Sequence, residues 1–152
     1  MTATEPSFPK RETARLLALD VGEKRIGLAV SDPLGITAQG LGVWQRRGPD
    51  ADLQHLLEVA REYQVRKLVV GLPRHMDGRP AAATAAITEL GDALGAALGV
   101  EVIYWDERLT TAAAERLLIQ ADVSRRRRRQ VVDQLAAVLI LQSYLDYRDQ
   151  TR

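Results

Sequence analysis

A chain of 152 residues is sized for one domain with a real core, and 46% hydrophobic against 27% charged residues is the balance of an ordinary soluble globular protein. A net charge of +1 gives no whole-chain sign of nucleic-acid binding, although five positive charges are gathered from Arg125 to Arg129. The absence of cysteine excludes disulfides, thiolate zinc sites and a cysteine nucleophile and fits a cytoplasmic location; no apolar run is long enough for a membrane span, the opening stretch does not read as a secretory signal, and the few aromatic residues do not suggest a base-stacking platform.

Residues 1–12 are polar, carry two prolines and are expected to form a loose tail, leaving 13–150 as a single domain. Arg15 to Val21 and Arg25 to Ser31 read as strands joined through Gly22. Thr37 to Trp44 reads as a third strand after the turn cluster Asp32-Pro33-Leu34-Gly35. Links this short join antiparallel neighbours, so the first half is a three-strand meander. In "GPDADLQHLLEVAREYQV", Leu53, Leu56, Leu57 and Ala60 recur at helical spacing, which predicts an amphipathic helix with His55 on its exposed side. Lys67 to Gly71 is a short buried strand and Leu72 to Pro80 a loop of proline and glycine. Ala81 to Leu98 is an alanine-rich helix and Val100 to Trp105 the last strand. Further helices are predicted over Thr110 to Gln120 and from Ser124 to about Tyr147. Late strands alternating with helices imply parallel crossovers. The expected fold class is α/β: a mixed five-stranded sheet with helices on both faces.

Three acids stand out. Asp20 ends the first strand; it can shape the turn before Gly22, or it can serve as a carboxylate held rigidly at the sheet's carboxyl edge, where open α/β sheets collect ligands. Glu107 lies just past the last strand in "VIYWDERLTT", where Asp106 competes for any role and Arg108 can pair with either acid. Asp133 sits in "QVVDQLAAVLILQSYL", a stretch apolar on nearly all sides and therefore read as a buried helix. A buried carboxylate needs a partner or a metal: Arg129, four residues back on the same face, is one candidate partner. Together the three acids form a hard oxygen set suited to Mg²⁺ or Mn²⁺, and two such ions about 4 Å apart would clamp the attacking and leaving oxygens of a phosphodiester. His55 and His75 read as plain surface residues.

The run "SRRRRRQ" opens the helix that carries Asp133. Such a run is a solvated face or a phosphate-binding track. Arg126 and Arg129 precede Asp133 by seven and four residues and so lie above it on one side. Phosphates held there would position a substrate without reading its sequence. Lys24 and Arg25, just beyond Asp20, could extend the track, and Arg74 and His75 are the loop residues most able to touch a phosphate.

Four blocks in order, "LALDVGEKRIGLAVSDPLGITAQGL", "VVGLPRHMDG", "DERLTTAAAERLL" and "VVDQLAAVLILQSYLD", resemble the YqgF/RuvX-like family, described both as candidate pre-16S rRNA nucleases and as candidate Holliday junction resolvases. The resemblance covers nearly the whole chain after the tail. It implies an RNase H-like fold with strand order 3-2-1-4-5 and metal-dependent phosphodiester cleavage, with the family's three acids falling on Asp20, Glu107 and Asp133. Classical resolvases of the wider superfamily carry a glutamate on the strand beside the first one. Here that strand, "KLVVGLP", has no acid, and Glu107 must reach back across about 10 Å from a loop. They also carry a second helix acid three residues after the first, where this chain has Ala136. Asp106 is expected to help where that ligand is missing. The implied substrate is precursor rRNA, branched DNA or both, and junction cleavage would favour a symmetric homodimer.

Two other classes stay open. "LDVGEKRIGLAV" also resembles the first phosphate loop of actin-like ATPases and sugar kinases, although those proteins enclose their nucleotide between two such domains. A non-catalytic nucleic-acid binder would use the arginine run alone.

Overall fold

The computed structural model describes residues 14–73, 82–108 and 125–150, and over 125–134 the backbone alone. The expected tail, the tip of the Leu72 to Pro80 loop and the helix predicted over Thr110 to Gln120 lie outside the described residues.

Three antiparallel strands come first: β1 (Arg15–Val21), β2 (Arg25–Ser31) and β3 (Ala38–Gln45). Their register sets Asp20 opposite Gly27 and Ile26 opposite Trp44. Helix α1 (Pro49–Glu62) leads to β4 (Val65–Leu72), which pairs parallel with β1; α2 (Thr84–Leu98) leads to β5 (Glu101–Asp106), parallel to β4; α3 (Arg125–Gln150) closes the chain. The sheet order is β3-β2-β1-β4-β5, as the resemblance implied.

Side-chain alternation along the strands sorts the core into two layers. Leu17, Leu19, Leu28, Leu68 and Val70 face α1 and α2. Leu16, Ala18, Ala29 and Val69 face α3, which answers with Ala137, Ile140, Leu141, Tyr144 and Leu145. Asp20 is the next member of the Leu16–Ala18 series, so its side chain belongs to the α3 face at the carboxyl end of β1. Along α3, Arg148 reaches the Gly35 carbonyl, Gln142 the Ala38 amide, and Val138 lies against Gly40. Moving toward the start of α3 therefore moves along β3 toward the end of the sheet that carries Asp20.

Several expectations shift. β4 is longer than the Lys67–Gly71 core of the prediction, because its flanking residues keep pairing on both sides. α2 begins at Thr84 rather than Ala81. α3 is not buried on all sides among the described residues: Leu135 is 41% and Tyr147 54% exposed, while one stripe of the helix meets the strands. His55 is not a plain surface residue; its ring stacks on Trp44 with centroids 3.7 Å apart.

Candidate active site

The turn after Asp20 is tight: the Gly22 amide donates to the Arg25 carbonyl at 2.8 Å, and a Cβ on Gly22 would meet that same oxygen at 2.9 Å. Glycine is thus required here by close approach. Arg46 braces the turn from outside. Its guanidinium donates to the Gly22 carbonyl and its backbone amide to the Lys24 carbonyl, both at 2.9 Å. Arg46 is itself anchored by Asp52 on the first turn of α1, through Nε at 3.0 Å. Asp52 is fully buried and also accepts from the Trp44 indole and the Arg47 amide. Burial pushes its carboxyl up, but the donors from Arg47, Trp44 and Arg46 outweigh this and hold it below the usual carboxylate range. Beside the braced turn is an open cleft of about 340 Å³ lined by Asp20, Glu23, Lys24, Arg25 and Val43 among others.

The second acid arrives from the far side of β4. The Glu107 amide donates to the Leu72 carbonyl at 3.0 Å, so the chain stays bound to β4 one residue beyond β5. The Glu107 side chain then crosses over Gly71 and hydrogen-bonds Asp20. Position 71 follows the Leu19–Val70 pair and faces Trp105, so Asp20, Gly71 and the end of β5 stand level across three adjacent strands. Burial first, then the hydrogen bond and charge of Asp20 and the charge of Asp106, push the Glu107 carboxyl up to about 8. A buried carboxyl raised in this way beside a second acid is the electrostatic signature of a functional site. Asp106 is turned elsewhere: both its oxygens take the Arg108 guanidinium, the shortest contact being 2.7 Å.

Of the residues singled out in the sequence, Asp20, Glu107, Lys24 and Arg25 come together at this end of the sheet. Asp106 is adjacent but engaged with Arg108. Asp133, Arg126 and Arg129 have helical backbone within α3, with side chains outside the described residues. Position 133 falls four and seven residues before Ala137 and Ile140 along α3. Arg74 and His75 lie outside the described residues. Two participants escaped the sequence reading. Gly71 carried a readable signal, a glycine inside an otherwise apolar strand. The Asp52–Arg46 brace carried none, since an acid in the first turn of a helix is ordinary dipole complementarity.

The donor set suits a hard divalent cation. Oε1 of Glu107 is buried and accepts no hydrogen bond among the described residues, and a cation would offset the mutual repulsion of two neighbouring carboxylates. Among the described residues no cluster of three or more candidate ligands occurs, and two carboxylates are the part of the set that falls within them.

The family described as RuvX, Holliday junction resolvase, matches residues 14–147. The chain belongs to this family. A protein of Moorella thermoacetica is 55% identical over 132 residues, covering 87% of this chain and 94% of its own; one of Syntrophomonas wolfei is 50% identical over the same length and shares. Both are named "Putative pre-16S rRNA nuclease". Among solved structures, Thermus thermophilus RuvC in complex with a Holliday junction substrate superposes with a TM-score of 0.58 at 18% identity, covering 91% of this chain and 97% of that one. The fowlpox virus Holliday junction resolvase does so with 0.53 at 14%, covering 88% and 99%. The fold is therefore RNase H-like, and the chain is a hydrolase of the nuclease class, acting on nucleic acid; the phosphotransferase reading is not favoured. Nucleases of this resolvase type generally use divalent metals. No helix of the described residues is long and apolar enough to cross a membrane.

Proposed function

We propose that the protein cleaves the phosphodiester backbone of structured RNA, the 5′ end of precursor 16S rRNA, at the carboxyl edge of β1 and β4. The observation that carries this is the Asp20–Glu107 carboxyl pair meeting across Gly71 beside the basic β1–β2 turn. The names of the half-identical relatives point to the same substrate.

Asp20, Glu107 and, from α3, Asp133 would hold the divalent ions, two of Mg²⁺ or Mn²⁺, which would supply polarisation of the scissile phosphate and a hydroxide-like nucleophile. Asp106 stays with Arg108 and orients the loop after β5. Burial and the neighbouring Asp20 raise the Glu107 carboxyl to about 8, so a bound cation would favour its charged form. Lys24 and Arg25 line the cleft beside Asp20 and hold flanking phosphates. Arg126, Arg129, Arg74 and His75 are the further residues assigned to phosphate contact. The Arg46–Asp52 brace keeps the turn from shifting as phosphates dock.

The test offers the purified protein precursor rRNA fragments and four-way DNA junctions side by side, with Mg²⁺ and with Mn²⁺. Specific cleavage of the rRNA 5′ region is the expected result. Cleavage of junctions alone, by a species that sizes as a dimer, would replace the RNA reading with two-fold junction resolution. Binding of either substrate without cleavage would leave a nucleic-acid-binding protein.

A further inference from the structure

Gly71 pairs with Trp105 in an unbroken ladder with β5, directly after the Leu19–Val70 pair with β1, and is not among the residues with positive φ. Any residue could adopt its backbone, and a glycine inside a strand weakens it. The reason for glycine must then be space. A Cβ built at position 71 meets Oε1 of Glu107 at 2.6 Å, its Cγ at 2.9 Å, and Cδ1 of Ile140 at 2.6 Å. The first two contacts belong to the acid that comes from beyond β5 to reach β1; the third belongs to the helix packed above.

We infer that Gly71 is a positioning residue: the gap it leaves in β4 is the passage through which Glu107 crosses the strand to join Asp20, so position 71 determines whether the second ligand of the site is delivered. This rests on the reading of Asp20 and Glu107 as metal ligands. Even alanine fills the passage. Glu107 cannot yield sideways at little cost, because its backbone is fixed to Leu72, its Oε1 is buried, and the contact reaches its Cγ as well as its carboxyl. The same geometry has a converse. An aspartate at position 71 carries its own oxygens into the space that the Glu107 carboxylate occupies, so it can stand in for the acid it displaces.

Ile140 offers a plainer explanation, in which the glycine only lets α3 approach the sheet. Ile140→Val removes Cδ1 and relieves that contact while leaving Glu107 in place, so the two explanations separate in one background. Gly71→Ala/Ile140→Val should melt close to Ile140→Val alone. Yet its Mn²⁺ affinity by titration calorimetry should be lower by about 10- to 100-fold, with a matching fall in kcat and unchanged substrate binding in chelator. A crystal structure of this variant should have the Glu107 carboxylate displaced from Asp20. Gly71→Asp/Glu107→Ala in the Ile140→Val background should recover Mn²⁺ binding that Glu107→Ala loses. If Gly71→Ala/Ile140→Val instead binds Mn²⁺ as tightly as Ile140→Val, or keeps Glu107 on Asp20, the glycine serves helix packing and the inference is overturned. The calorimetry and the crystal structure need no substrate, so a wild-type protein that binds Mn²⁺ but cleaves nothing would defeat the nuclease proposal and leave the role of Gly71 to be judged on them. A wild-type protein that binds no Mn²⁺ would defeat both.

Discussion

Asp20 and Glu107 bring two carboxyl groups together at the carboxyl edge of the sheet, and each is expected to be indispensable to a bound cation. Asp20→Asn and Glu107→Gln keep side-chain size and remove one charge from the site. Cleavage should fall by about 100-fold or more in each while the circular dichroism spectrum stays unchanged. Wild-type turnover in either variant would remove that residue from the ligand set. The same pair predicts a pH dependence of stability in chelator. Burial and Asp20 push the folded Glu107 carboxyl up to about 8 from its ordinary 4.5, so between those values the folded state binds more protons than the unfolded chain. Stability therefore declines as pH rises from about 4.5 to about 8. Glu107→Gln cannot lose a proton there. Thermal melts across this window should show the variant gaining on the wild type as pH rises, and Mg²⁺ should narrow the difference. Parallel curves would mean that Glu107 is charged in the folded protein.

At the scale of elements, α1 acts on the site from behind. Asp52 ties its first turn to Trp44, Arg46 and Arg47, and Arg46 in turn holds the β1–β2 turn. Asp52→Ala would remove the acceptor of the partly exposed Arg46 guanidinium, the Trp44 indole N–H and the Arg47 amide, at a cost of about 1–3 kcal/mol, readable as a lowered denaturant midpoint. A loss under about 0.5 kcal/mol, the ordinary scatter of surface substitutions, would show that the network contributes geometry without stability. The opening of α3 should act differently. Replacing Arg126 and Arg129 with alanine is expected to weaken nucleic-acid binding on all sequences alike and to flatten its log–log salt dependence by up to about one unit per lost phosphate contact. An unchanged slope with a lower melting temperature would make the run structural, with Arg129 the partner of Asp133.

At the scale of the molecule, one sheet presents one edge to its ligand. The tight β1–β2 turn looks like a nucleotide cradle when read alone, but nothing among the described residues closes over the cleft from the other side, which opens broadly to solvent. Titration with ATP and Mg²⁺ is expected to give no saturable heat. Micromolar binding would return the phosphotransferase class to contention.

How much was legible follows from what each kind of signal depends on. Strand alternation, helix stripes and short links are local, so the sequence by itself determined the five strands, the meander, the two flanking helices and, through four blocks of resemblance, the order of the sheet. It also marked Asp20, because a strand end before a glycine turn is a local feature. The choice between Asp106 and Glu107 was not local. Two adjacent acids on a loop differ only in which way they face, and that was decided by alternation carried past β5, by the Glu107 amide bonding Leu72, and by the space above Gly71. The brace from Asp52 to Gly22 was invisible for the same reason, since its parts come from α1, β3 and the segment after β3, and meet only once the meander is folded. His55 and Leu135 were misjudged because helical periodicity says which residues share a face but not what lies opposite: Trp44 in one case and open solvent in the other. The sequence thus determined the elements and the kind of chemistry, while tertiary structure decided which carboxylates meet, because a gap one side chain wide in β4 exists only between neighbours that folding brings together.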